Sequence, residues 1–268
     1  MFTIEQVRKA FTDWAPRYNA THAWGLLKRR EARLALDVQP GDRLLEIACG
    51  TGLNFPHLRR LTGDRGSIVG VDLTPAMLDI ARQQIARKGW TNVEVREADA
   101  ARLPFPDASF DKAFCAFALN IIPDYERAIA EVWRVLVPGG RFAALEMRSM
   151  DVSSLSGWLG NLAHRLMGVC AVDSSHRTLE AIQEAFGEVQ LRRYLAGMVF
   201  TAVARKRPPG TVENRDPYPE SGQRRIGSES PGPGPAKPSC AGSSPAVASN
   251  QREATPGNSH PAAPQPPI

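Results

Sequence analysis

The stretch "LLEIACGTGLNFPHL", residues 44–58, decides the fold. A run of aliphatic residues ends in two glycines and passes directly into a helix-like tail. Such a run reads as a buried strand, and the Gly50-Thr51-Gly52 turn lets a ligand approach backbone with no Cβ in the way. Pro56 fits the first helical turn, where an amide hydrogen has no partner to lose. A tight strand-to-helix turn with no ligand has the same appearance, so the rest of the chain must decide.

Outward from this turn, short apolar runs alternate with helical patterns. "RLLEIA" (43–48), "SIVGVD" (67–72), "VEVREA" (93–98), "KAFCAFA" (112–118) and "RFAALEM" (141–147) read as strands. Between them, "TPAMLDIARQQIARKG" and "DYERAIAEVWRVLVPGG" space apolar residues by three and four. The second puts Ile129, Val132, Trp133 and Leu136 on one face, with Gly139-Gly140 as its stop. Alternation of this kind predicts a parallel sheet with helices on both faces. The run "GEVQLRRYLAGMVFTAVARK" holds two strand-like segments around Ala196-Gly197 and predicts an antiparallel hairpin closing the sheet.

The last sixty residues differ in kind. Of 22 prolines, 14 fall in residues 208–268, with Tyr218 as the sole aromatic and no apolar periodicity. Such a segment buries too little surface to offset its ordering entropy, so it reads as a disordered tail. The expected organisation is a helical cap over 1–39, a domain over 40–207 and the tail over 208–268. The tail's charges cancel, which leaves the net charge of +5 on residues 1–207. That is mild for a nucleic-acid binder, and no basic stripe is interleaved with aromatics, so no nucleic-acid partner is expected.

Cys49, Cys115, Cys170 and Cys240 have no metal-ligand spacing, so neither a metal nor a disulfide framework is expected. Neither a secretory signal nor an 18-residue apolar run stands in the chain, which points to the cytoplasm. The basic cluster Lys28–Arg33 in "LLKRREARLAL" offers two readings: a helix face resting on an anionic bilayer, or a solvated one.

Three acids then narrow the ligand. Asp72 ends the second strand 22 residues after Gly50, where a carboxylate accepts from ribose hydroxyls. A nicotinamide dinucleotide fits that acid too, but its fingerprint wants a small third residue, and here Phe55 stands there. Glu46, inside the first strand, would repel a pyrophosphate and welcome an ammonium or sulfonium. Asp99, after the third strand, suits an adenine amino group. Together these point to S-adenosylmethionine.

At these residues the chain resembles the class I S-adenosylmethionine-dependent methyltransferases, over about residues 40–206. "LLEIACGTG" is similar to their glycine motif, with Ala48 where the commonest form has glycine. "VGVDLTPAMLDIAR", "EADAARLPFPDASFDKAF" and "RVLVPGGRFAALEM" resemble their ribose-acid, adenine-loop and fifth-strand motifs. "AFALNIIPDYERAIAEVWRVLVPGGRFAALEM" and "YLAGMVFTAVARKR" are similar to the ubiquinone/menaquinone-biosynthesis methyltransferases, a pattern shared by bacterial phosphatidylethanolamine N-methyltransferases.

The resemblance implies a Rossmann-like, doubly wound, mostly parallel seven-stranded sheet and an enzyme moving a methyl group to a small-molecule or lipid acceptor. Glu46 would orient the methionyl amine through the turn, and Ala48, Gly50, Thr51 and Gly52 would give contact along it. Asp72 would hold the ribose and Leu73 and Met77 would pack on the adenine. Asp99 and Ala100 would meet its edge, with Ala116 and Phe117 on the sulfonium side. Tyr18, His22, Asn120 and Arg148 are the polar residues expected toward the acceptor, with His22 as a candidate base. His164 and His176 are further candidates, and the apolar segment 153–172 with Trp158 is a candidate acceptor wall. The chain departs from the quinone-forming pattern at Tyr18-Asn19, where that group has a Tyr-Asp pair, and in "GVCAVDSSHRTLEAI". Phospholipid N-methylation and quinone-precursor C-methylation both stay open, as does a cofactor-binding scaffold that does no chemistry.

Overall fold

The computed structural model describes residues 3–21, 26–147 and 177–208. Two helices lead, α1 (Ile4–Thr21) and α2 (Leu26–Ala35). Then follow β1 (Arg43–Ile47), α3 (Phe55–Thr62), β2 (Ser67–Asp72), α4 (Pro75–Lys88), β3 (Val93–Glu97), β4 (Phe110–Ala116), α5 (Tyr125–Val135) and β5 (Leu136–Met147). A helix here called α6 (Thr178–Phe186) precedes β6 (Val189–Tyr194), a 3-10 turn (Leu195–Gly197) and β7 (Val199–Arg205). The segment 153–172 and the tail from 209 onward lie outside the described residues.

The seven strands form one sheet in the order β3-β2-β1-β4-β5-β7-β6. All pairs from β3 to β5 are parallel, and β7 is antiparallel to both β5 and β6. In β1 four of five residues are buried, as a central strand covered on both faces requires. Helices α5 and α6 cover one face, where Ile129, Val132, Ile182 and Phe186 meet Leu45, Ile47 and Phe142. Helices α2, α3 and α4 cover the other, where Ala32, Phe55, Leu58 and Leu78 meet Leu44, Ile68 and Phe114. The chain winds outward from β1 to β3, then returns to the far side of β1 with β4. Between β1 and β4 lies the switch point where open α/β sheets hold ligands at their carboxyl ends.

Helix α5 ends earlier than its periodicity suggests. Asp124 caps it by accepting from the Arg127 N–H, but the helix stops at Val135 rather than at Gly139-Gly140. Pro138 disfavours helical backbone at the residue before it, and Leu136 is already extended (φ −75°, ψ 141°). The glycines instead serve β5. A Cβ on Gly140 would come within 2.9 Å of the Val137 carbonyl, at the point where the β4–β5 register shifts. The closing strand caps the helix in their place, since Lys206 Nζ donates to the carbonyls of Arg134 (3.3 Å) and Leu136 (2.8 Å).

The basic cluster of α2 is not one surface. Arg30 is exposed, but Arg29 and Arg33 are only 3% and 2% exposed and turn into the protein. Neither the bilayer-resting nor the solvated reading holds for those two residues. No described helix is long and apolar enough to cross a membrane.

Candidate functional site

The turn after β1 is held from three sides. The N–H of Gly50 donates to Asp72 Oδ2 and that of Thr74 to Asp72 Oδ1, both at 2.8 Å, so one carboxylate ties the ends of β1 and β2 together. From α4, Gln84 Nε2 donates to the Gly52 carbonyl at 3.0 Å. From α1, Asn19 Oδ1 accepts from the Thr51 hydroxyl at 2.5 Å. Gly50 and Gly52 are left-handed (φ 55° and 78°), and so is Ala48 (φ 48°). The alanine costs about 1–2 kcal/mol where glycine would not.

Phe55 explains why no third glycine is needed. A Cβ on Gly52 or Gly70 would collide with its ring, at 2.5 and 2.7 Å. The small residues that permit close helix–sheet packing sit opposite the aromatic, one in the turn and one in β2.

Behind the turn lies a buried polar chain. Glu46, 1% exposed on β1, accepts at Oε1 from Asn54 Nδ2 (2.6 Å), and Asn54 Oδ1 accepts from Arg33 (2.7 Å). Its other oxygen, Oε2, is buried without a hydrogen-bond partner, as is Arg29 Nε. Burial raises the Glu46 pKa to about 7, against the pull of Asn54, Arg29 and Arg33. Burial lowers that of Arg33 to about 10. Asp72 is raised as well, by burial that its backbone hydrogen bonds only partly offset.

In front of the turn is an apolar cleft. Ala48, Gly50, Asp72, Leu73, Met77, Asp99, Ala100, Ala116 and Phe117 all line it, together with Tyr18. Asp99 is half-buried and accepts at Oδ1 from the Ala101 N–H (2.9 Å). Burial pushes the Tyr18 phenol above its usual 10, with Arg29 hydrogen-bonded to it in opposition. The phenol is therefore a hydrogen-bonding group at neutral pH and not a base.

Sequence reasoning missed two parts of the site. Ile4, Val7 and Phe11, a stripe on α1, line the cleft, as do Ile121, Ile122 and Pro123. Their helical spacing was the available signal. The second part is Glu146, fully buried on β5, whose Oε1 accepts from the N–H groups of Ala118 (3.1 Å) and Leu119 (3.0 Å). Burial raises its pKa to about 7. An acid inside an apolar run marked Glu146 as plainly as it marked Glu46.

Of the other expected residues, Glu46, Thr51 and Gly52 sit behind or within the turn and do not line the cleft. Asn120 does not line it either. Its amide turns inward to Glu146 Oε2 (3.1 Å) and the Met147 carbonyl (2.6 Å). His22, Arg148, Trp158, His164 and His176 lie outside the described residues. Among the described residues no cluster of His, Cys, Asp or Glu is arranged to hold a metal.

A seven-stranded, doubly wound sheet with a cleft at the carboxyl ends of β1, β2 and β3 defines the chain as a Rossmann-like α/β protein. Residues 45–144 match the family described as a methyltransferase domain. The demethylmenaquinone methyltransferase of Deinococcus radiodurans is 41% identical over 148 residues, 53% of this chain and 60% of that protein. The ubiquinone/menaquinone biosynthesis C-methyltransferase UbiE of Teredinibacter turnerae is 46% identical over 119 residues, 44% of this chain and 48% of that one. The chain thus spans about half to three fifths of the length of these two relatives.

Among solved structures, the [4+2]-cyclase SpnF superposes with a TM-score of 0.63 at 20% identity, covering 77% of this chain and 98% of that one. An S-adenosylmethionine-dependent methyltransferase from Aquifex aeolicus does so with a TM-score of 0.51 at 18% identity, covering 76% and 99%. At such identities the likeness shows the fold alone. In the matched residues 45–144 and in its fold, the chain is similar to the class I S-adenosylmethionine-dependent methyltransferases.

Proposed function

We propose that the protein transfers a methyl group from S-adenosylmethionine to a ring carbon of a quinone-type small molecule. The observation that carries the cofactor half is the cleft itself, where the Gly50 turn, Asp72 and Asp99 meet from three successive strand ends. The quinone half rests on the relatives, named for demethylmenaquinone and for C-methylation.

The residues present fit the cofactor. Glu46, buried behind the turn, would act on the cationic amine of a methionyl group through the turn and not by direct contact. A Cβ at Gly50 would point into space bounded by the Tyr18 ring at 3.9 Å, so glycine leaves the backbone open to a ligand. Asp72 lines the cleft at the end of β2, where its carboxylate would accept from ribose hydroxyls. When bound, S-adenosylmethionine supplies a methyl group on a sulfonium, open to displacement from the side opposite sulfur.

What this chain then contributes is positioning and dryness. Phe117, Ile121, Ile122, Ile4, Val7 and Phe11 give the cleft an apolar lining that would disfavour water beside a bound acceptor. Tyr18 offers a hydroxyl to an acceptor oxygen. The test is incubation of the full chain with methyl-labelled S-adenosylmethionine and either demethylmenaquinol or phosphatidylethanolamine vesicles. Label in the quinol is the expected result. Label in the phospholipid alone would move the reading to N-methylation, and binding with no transfer to either would favour a scaffold role.

A further inference from the structure

We propose that Glu146 is a positioning residue that sets the acceptor-side wall of the cleft by clamping the turn after β4. The N–H groups of Phe117, Ala118 and Leu119 and the side-chain amide of Asn120 all end on the last residues of β5. The Phe117 N–H donates to the Leu145 carbonyl at 2.6 Å. The N–H groups of Ala118 and Leu119 donate to one oxygen of Glu146, at 3.1 and 3.0 Å. The Asn120 amide donates to the other, at 3.1 Å, and to the Met147 carbonyl, at 2.6 Å.

The clamp matters because the turn is in an unfavourable shape. Phe117 has a φ of 59°, a left-handed conformation uncommon for a bulky residue, which persists only where the surroundings over-determine it. Two consecutive N–H groups aimed at one point form an anion-binding concavity, and here the anion is the protein's own carboxylate. Phe117, Ala118, Ile121 and Ile122 line the cleft in consequence. Arg29 also packs on the aromatic, its guanidinium 5.1 Å from the Phe117 ring centre.

A carboxylate with no exposed surface is a poor choice for stability alone, since burial disfavours its charged form. Its retention is explained by the turn it shapes. Glu146 touches no cleft surface itself and acts only through Phe117 and its neighbours.

The ligand readout rests on the proposed function, while the exchange readout does not. In the full chain, Glu146→Gln keeps the side-chain shape and removes the charge. We expect amide hydrogen exchange at Ala118 and Leu119 to accelerate about tenfold or more, as loss of charge-assisted hydrogen bonds implies. Amides of β1 and β2 should exchange as before, which separates a local clamp from general destabilisation. Affinity for S-adenosylhomocysteine should fall by a similar factor, with the melting temperature held or raised. Should Glu146→Gln not fold, Asn120→Ala leaves the carboxylate and removes one of its donors, and exchange at Leu119 should still rise. Unchanged exchange at both amides would overturn the proposal. Faster exchange with no binding of S-adenosylhomocysteine even to the wild type would uphold the clamp and overturn the cofactor reading instead.

Discussion

Asp72 shows how one carboxylate joins fold and function. It accepts from Gly50 and Thr74 and still faces the cleft. Asp72→Ala therefore removes two backbone partners as well as the proposed ribose contacts. Affinity for S-adenosylhomocysteine should fall by about 1–3 kcal/mol in isothermal titration, and urea unfolding should show a loss of similar size. A loss of affinity with no loss of stability would mean that the backbone bonds are easily replaced. At the same scale, Gly70→Ala should be strongly destabilising, because its Cβ would sit 2.7 Å from the Phe55 ring and 2.8 Å from Cys49 Sγ. Overpacking of this kind costs about 1–3 kcal/mol, readable as a drop in the urea midpoint.

Among elements, α2 is the one whose role inverts its sequence. Four basic residues in ten suggested a surface, yet Arg33 reaches Asn54 in the interior and Asn54 reaches Glu46. Arg33→Ala leaves the buried Asn54 amide oxygen without its donor, with Arg29 still near Glu46, and should cost about 1–3 kcal/mol. Arg30→Ala, on the exposed face, should stay within about 0.5 kcal/mol. Comparing the two by chemical denaturation tests the assignment of faces.

The strands were easy to read for a physical reason, since buried parallel strands such as "SIVGVD" are continuous apolar runs bounded by turns. Helix ends were harder. Pro138 and the β4–β5 register, rather than the glycine pair, end α5. Asp72, Asp99 and Gly50 were legible as a site because strand ends gather ligands. Glu146 and the α1 stripe carried a signal as residues but not as roles, which depend on contacts between distant parts of the chain: 26 to 28 residues separate Glu146 from its donors. The inward turn of the Asn120 amide follows from that same unseen partner.

For the whole molecule, the buried carboxylates make a pH-dependent contribution of known sign. Glu46 and Glu146 have pKa values raised to about 7, against 4.5 as the ordinary value. An acid whose pKa rises on folding binds protons more tightly in the folded state. Stability from these two groups is therefore greatest below about 4.5, falls as pH rises toward 7, and levels off above it. At roughly 1.4 kcal/mol per pKa unit, each contributes up to about 3 kcal/mol across that window. Urea unfolding of the wild type at pH 6 and pH 8 should show the higher midpoint at pH 6. Glu146→Gln should narrow the gap, and a wider one would mean that the buried carboxylate is stabilised by its donors more than burial disfavours it.

The central claim is that the cleft between the β1 turn, Asp72 and Asp99 holds an S-adenosyl compound. Isothermal titration of S-adenosylhomocysteine into the full chain, with NAD as the comparison ligand, tests it most directly. Saturable binding of S-adenosylhomocysteine, weakened in Asp72→Ala, and none of NAD is the predicted result. No binding of S-adenosylhomocysteine, or saturable binding of NAD in its place, would contradict the reading of the glycine turn on which the account is built.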